Sequence, residues 1–86
     1  MSKHQKLLGK FLSKPKNFTY NELRTLLNGF GYSEISRGAT SGSRAAFYNT
    51  ERQHLILLHK PHPHRVLKRY QIELIEKELR NQGAMP

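Results

Sequence analysis

Residues 59–64, His59-Lys60-Pro61-His62-Pro63-His64, hold three of the chain's five histidines, and Arg65 follows at once. Imidazole is the one side chain whose unperturbed pKa lies near neutrality, so such a tract can exchange protons or bind a metal there. From Arg52 to Ile72 there is no carboxylate, whereas Arg52, Lys60, Arg65, Lys68 and Arg69 are all cationic. Histidines set among cations, with no acid beside them, point to an anionic partner.

Two chemistries compete for that tract. On an extended chain His62 and His64 project to the same side, roughly 6–7 Å apart, and with His59 nearby a three-histidine zinc site can be drawn. Lys60 and Arg65 repel a cation, and no thiolate or carboxylate offsets them, so no metal is assigned. Cleavage of RNA suits the same residues better. The 2′-hydroxyl attacks the adjacent phosphate once its proton is removed, and the leaving 5′-oxygen must gain one. A histidine near its ordinary pKa serves as either base or acid. Arginine or lysine at the phosphate supplies the electrostatic stabilisation, and no cofactor is required. His59 and His62 are the candidates for proton transfer, with Lys60 and Arg44 at the phosphate. A solvated, proline-rich loop without chemistry is the plain alternative.

Gly42-Ser43-Arg44 is the second candidate. Glycine lets a backbone approach a phosphate closely, and an arginine opening a strand can fork onto it. Arg44, Ala46 and Tyr48 share one strand face, which would suit a base stacked on Tyr48. An ordinary hairpin turn, with Tyr48 lying over the core edge, accounts for the same residues.

The elements that must position these groups follow from pattern. Residues 3–13 read as a helix with Leu7, Leu8, Phe11 and Leu12 on one side and His4 on the same face. Lys14-Pro15-Lys16-Asn17 ends it. Thr19 with Glu22 forms a capping box, and Phe18 with Leu23 the matching hydrophobic staple. The second helix then carries Leu23, Leu26, Leu27 and Phe30 and stops at Gly29 and Gly31. The period next changes to two. Tyr32–Arg37, Arg44–Asn49 and His54–His59 read as strands, and the short connections at 38–43 and 50–53 imply antiparallel pairing. Pro61 and Pro63 forbid a regular ladder beyond. A last helix is expected over 66–82, with Ile72, Ile75 and Leu79 on one stripe and Leu67, Tyr70 and Leu74 on another. The order α-α-β-β-β-α describes an α+β domain, a three-stranded antiparallel sheet with helices on one face.

Composition bounds the rest. A chain of 86 residues makes one small domain, which buries roughly 60–65% of its unfolded surface, so a surface site is expected rather than a deep cavity. The absence of cysteine removes disulfides, thiolate metal sites and cysteine nucleophiles together, and fits a cytoplasmic setting. The start, MSKHQKLLGKF, lacks the apolar run of a signal peptide, and no window approaches the ~18 apolar residues of a membrane span. Fifteen basic residues against six glutamates give a net charge of +9. Residues 1–21 hold five lysines and no acid. A field this polarised attracts phosphate backbones.

From about Asn17 to Gly83 the chain resembles the HicA family of bacterial toxins, the ribonuclease halves of HicA–HicB toxin–antitoxin pairs. The features that carry the resemblance are the Leu-rich helix ending in glycine at Asn21–Gly31, the Gly42-Ser43 turn entering a strand, the Pro/His segment His59–Pro63, and a closing helix ending in Gly83. The resemblance implies a fold like the double-stranded RNA-binding domains, a metal-independent endoribonuclease acting on mRNA, and a cognate HicB-like antitoxin as protein partner. The chain then divides into an additional helix at 1–16, the HicA-like domain at 17–83 and a tail at 84–86. Family members usually place their catalytic histidine directly after the Gly-Ser turn, where this chain has Arg44. An arginine stays protonated and cannot act as a general base. Either His59 or His62 then moves the proton, or the domain binds RNA or DNA without cutting it. Arg37, Gly42, Ser43, Tyr48, Lys60, Arg65, Lys68 and Arg69 are the residues expected along the RNA. An interaction protein whose basic surface meets an acidic partner is the remaining reading.

Overall fold

The structure is a computed structural model that describes residues 3–35, 44–60 and 65–85. Its elements run α1 (Lys3–Leu12), α2 (Tyr20–Gly29), β1 (Ser33–Ile35), β2 (Arg44–Asn49), β3 (His54–His59) and α3 (Arg69–Asn81). This is the expected α-α-β-β-β-α order.

The start of α2 forms as its sequence dictates. Thr19 Oγ1 accepts a hydrogen bond from the Glu22 amide at 3.1 Å, and Glu22 Oε1 accepts one from the Thr19 amide at 2.9 Å. Two otherwise orphaned backbone donors are thereby satisfied. Phe18 and Leu23, the staple pair, are both fully buried. At the other end Gly31 takes φ +94°, a conformation that favours glycine, and the Tyr32 amide reaches back to the Leu27 carbonyl at 2.9 Å.

The three strands form an antiparallel sheet in the order β1-β2-β3. Ala45 faces Leu58, Phe47 faces Ile56 and Asn49 faces His54 across β2 and β3. Ala45, Phe47, Ile56 and Leu58 join the core with Phe11, Phe18, Leu23, Leu26, Leu27, Ile72, Ile75 and Leu79. All three helices therefore contribute to one core on one face of the sheet.

The other face is formed by Arg44 opposite His59, Ala46 opposite Leu57 and Tyr48 opposite Leu55, with β1 adding Ile35 beside Ala46 and Ser33 beside Tyr48. Ile35, Leu55 and Leu57 are exposed there.

The helix α1 packs onto α2 through a close approach. A Cβ placed on Gly29 would collide with the His4 ring. His4 Nε2 lies 3.3 Å from the Leu26 carbonyl, and its ring meets Phe30 edge-on at 4.7 Å. Phe11, further along α1, is wholly buried against Phe18.

The last helix starts later than its pattern suggests. Residues 66–68 are extended instead of helical, because Val66 pairs with Thr19 as an isolated antiparallel bridge. The Leu67 amide donates to the Phe18 carbonyl at 2.8 Å, and the Tyr20 amide to the Arg65 carbonyl at 2.9 Å. Backbone bonds to the entry of α2 thus hold this segment straight and delay α3 to Arg69.

Two polar knots tie the elements. His54 lies between the Tyr32 hydroxyl, at 2.7 Å from Nδ1, and Glu78 Oε2, at 2.6 Å from Nε2. Asn49, only 3% exposed, donates to the Phe30 carbonyl and accepts from the Arg52 amide.

Candidate nucleic-acid interface

Arg44 opens β2 and His59 closes β3, and the register makes them direct cross-strand partners. Both are exposed and both lie on the sheet face away from the core. Directly opposed residues have Cβ atoms about 4.5–5.5 Å apart, so a guanidinium and an imidazole can reach a single phosphate between them.

The His59 end of β3 is anchored to α3. Gln71 is 6% exposed. Its Nε2 donates to the His59 carbonyl at 3.0 Å, and its Oε1 accepts from the Lys68 amide at 3.1 Å. One carboxamide thus bridges the strand end to the first turn of the helix. Gln71 sits three residues after Lys68, the spacing of a capping glutamine. A helix starting at 66, as the apolar pattern suggests, puts Gln71 inside it and hides that signal.

The glutamates explain why this region keeps its positive charge. Glu22 pairs with Lys10 at 2.8 Å, Glu76 with Lys14 at 2.8 Å and Arg80 at 2.9 Å, and Glu34 with Arg24 at 2.9 Å. Glu78 meets His54, and Glu73 meets Arg69 at 3.5 Å. Five of the six carboxylates are therefore committed elsewhere. Arg44, Lys60, Arg65 and Lys68 have no carboxylate partner among the described residues.

The committed pairs also shift pKa values. Hydrogen bonds from Lys14 and then Arg80 hold Glu76 below its usual range, against a small upward push from burial. Burial pushes Glu22 up, but the Lys10 ammonium and the Thr19 amide outweigh it and leave the carboxyl depressed. Burial, together with the Glu34 carboxylate that its hydroxyl contacts, raises the Tyr20 phenol well above its ordinary value.

The predicted residues that the structure describes fall into three groups. Arg44 and His59 are brought together, and Lys60 follows His59 directly. Lys68 and Arg69 stand at the start of α3, one carboxamide away from His59, and Arg65 precedes them at φ +55°. Tyr48 is half-buried on the same sheet face as Arg44, four residues and so roughly 13 Å along the strand. Tyr48 can therefore touch a nucleotide next to the Arg44–His59 pair but not the same phosphate. His62, Arg37, Gly42 and Ser43 lie outside the described residues, as does His64 of the metal set that the sequence suggested. Comparison with protein-family models, curated proteins and solved structures returned no match to this chain.

Proposed function

We propose that the protein is an RNA-binding endoribonuclease that acts on mRNA, of the HicA kind, and serves as the toxin of a toxin–antitoxin pair. The observation that carries this reading is the placement of Arg44 opposite His59 on the sheet face away from the core, where neither has a carboxylate partner among the described residues. His59 removes the proton of the 2′-hydroxyl as its oxygen attacks phosphorus. Arg44, with Lys60 beside the pair, binds the phosphate oxygens as they gain charge. His62 protonates the 5′-oxygen as the P–O bond breaks, leaving a 2′,3′-cyclic phosphate and a free 5′-hydroxyl. The imidazoles carry the proton transfers throughout, and the arginine stays charged.

Lys68, Arg69, Arg65, Arg37, Gly42 and Ser43 hold the flanking backbone, and Tyr48 offers a stacking surface four residues along the strand from Arg44. An acidic HicB-like antitoxin would cover the same cationic face, which explains how a cell tolerates the enzyme.

One observation favours a second reading, a module that binds RNA or DNA without cutting it. The position after Gly42-Ser43 is an arginine, so His59 is the one imidazole at the Arg44 end of the sheet among the described residues. Purified wild type, Arg44→Ala, His59→Ala and His62→Ala, compared for growth arrest and for RNA fragments, separate the two. Fragments from wild type, lost in the histidine variants, support the enzyme. Binding with intact RNA in every case leaves the module.

A further inference from the structure

A second basic site lies away from the Arg44–His59 pair. The connection after α1 and the strap before α3 enclose an open cleft of about 640 Å³, lined by Lys14, Pro15, Lys16, Val66, Lys68 and Arg69 among others. Four of these side chains are cationic, and Pro15 and Val66 provide an apolar floor. Lys14 is held by Glu76 at 2.8 Å, and Arg69 only loosely by exposed Glu73 at 3.5 Å. Lys16 and Lys68 are exposed and have no carboxylate partner among the described residues. Positive charge walling an apolar slot suits a chain of phosphates joined by sugars better than it suits a free ion.

Lys68 is tied through Gln71 to the His59 carbonyl. A separate groove between α1 and α2 is lined by Lys3, Lys6 and Lys10, together with Glu22, the partner of Lys10. Lys3 to Lys10 spans roughly 10 Å at 1.5 Å per residue. The backbone that closes the cleft is fixed: Val66 is bridged to Thr19, and the Leu67 amide is bonded to the Phe18 carbonyl.

We infer that this cleft, with Lys16 and Lys68 as its two open cations, binds the phosphate backbone of the RNA outside the Arg44–His59 pair. The inference rests on the RNA reading above and extends it. The α1–α2 connection becomes part of the RNA path, and the contacts carry no base preference because every cation here meets phosphate.

The test is the salt dependence of binding to a labelled single-stranded RNA bearing 2′-O-methyl groups, which cannot be cleaved. Wild type, Arg44→Ala and the double variant Lys16→Ala/Lys68→Ala are compared, with thermal melts to establish that the exposed substitutions leave the fold intact. Losing two phosphate contacts on a single strand should flatten the plot of log K against log salt by about 1.4. Affinity at moderate salt should fall roughly tenfold, equally for different RNA sequences. A double variant that keeps the wild-type slope while Arg44→Ala weakens binding overturns the cleft and leaves the RNA reading standing. A wild type that binds no RNA overturns both. Poly-glutamate bound by wild type as tightly as RNA, and lost in the double variant, would assign the cleft to an acidic protein instead.

Discussion

Arg44 and His59 are set opposite each other by strand register, and Gln71 is the side chain that holds the His59 backbone in place. Its carboxamide is buried with both ends bonded, so replacing it strands a carbonyl and an amide at once. Gln71→Leu should therefore cost about 1–3 kcal/mol of stability, read from the urea midpoint, and should lower cleavage more than it lowers RNA binding. An unchanged midpoint would show that the bridge contributes nothing. His54 has a comparable place in the core but no place in the chemistry. It separates the buried Tyr32 hydroxyl from Glu78, and burial raises the Tyr32 phenol above its ordinary value. His54→Leu should destabilise by about 1–3 kcal/mol because both neighbours lose their partner. RNA affinity per folded molecule should stay the same; a loss of affinity at full folding would place His54 in the binding surface.

At the scale of elements, the contact between α1 and α2 depends on a missing side chain. Gly29→Ala drives a methyl into the His4 ring and should cost about 1–3 kcal/mol, as overpacking does. Adding His4→Ala should recover part of the loss, and additive losses in the double variant would mean the ring and the glycine do not meet. Thr19→Ala removes the cap of α2 and should cost about 1 kcal/mol, measured in the same denaturation series. Much of this architecture was legible because it is local. Thr19 and Glu22 announce a helix start by spacing alone, Ile72, Ile75 and Leu79 mark the buried stripe of α3, and alternation marks β2 and β3. The start of α3 was not legible, since Val66 and Leu67 have helical neighbours in sequence but are held extended by residues 18–20, far away in the chain. The facing of Arg44 and His59 was legible only as two strand ends, because register is set by tertiary pairing. Lys68 and Arg69 are legible as RNA-facing cations, but the cleft is not: Lys14 and Lys16 read as a helix terminator, and only folding brings them to Lys68.

The whole molecule divides its charges by role. Five of its six glutamates are engaged in ion pairs between or within elements, which leaves a cationic surface at the Arg44–His59 end of the sheet and at the start of α3. Glu22 and Glu76 both have folded pKa values below their ordinary value of 4.5. The unfolded chain therefore binds more protons at acid pH. The stability these pairs contribute is present above about pH 4.5 and lost as pH falls through the lower folded values. Melting temperature should accordingly drop as pH falls below that value and should be less sensitive to it in Glu76→Gln. An equal acid response in that variant would remove Glu76 from the account. The same surface predicts a partner of opposite sign, and a small acidic protein encoded beside this one should bind it and suppress any cleavage. Among the described residues no helix is long and apolar enough to cross a membrane.

The most direct measurement is incubation of purified protein with RNA at neutral pH, without added metal, followed by analysis of the fragment ends. Fragments should end in a 2′,3′-cyclic phosphate, with rates reduced roughly 10²–10⁴-fold by His59→Ala, the range of a lost acid–base group, and also reduced by Arg44→Ala. RNA that stays intact while tightly bound, or fragments produced equally well by His59→Ala, would contradict the enzyme reading.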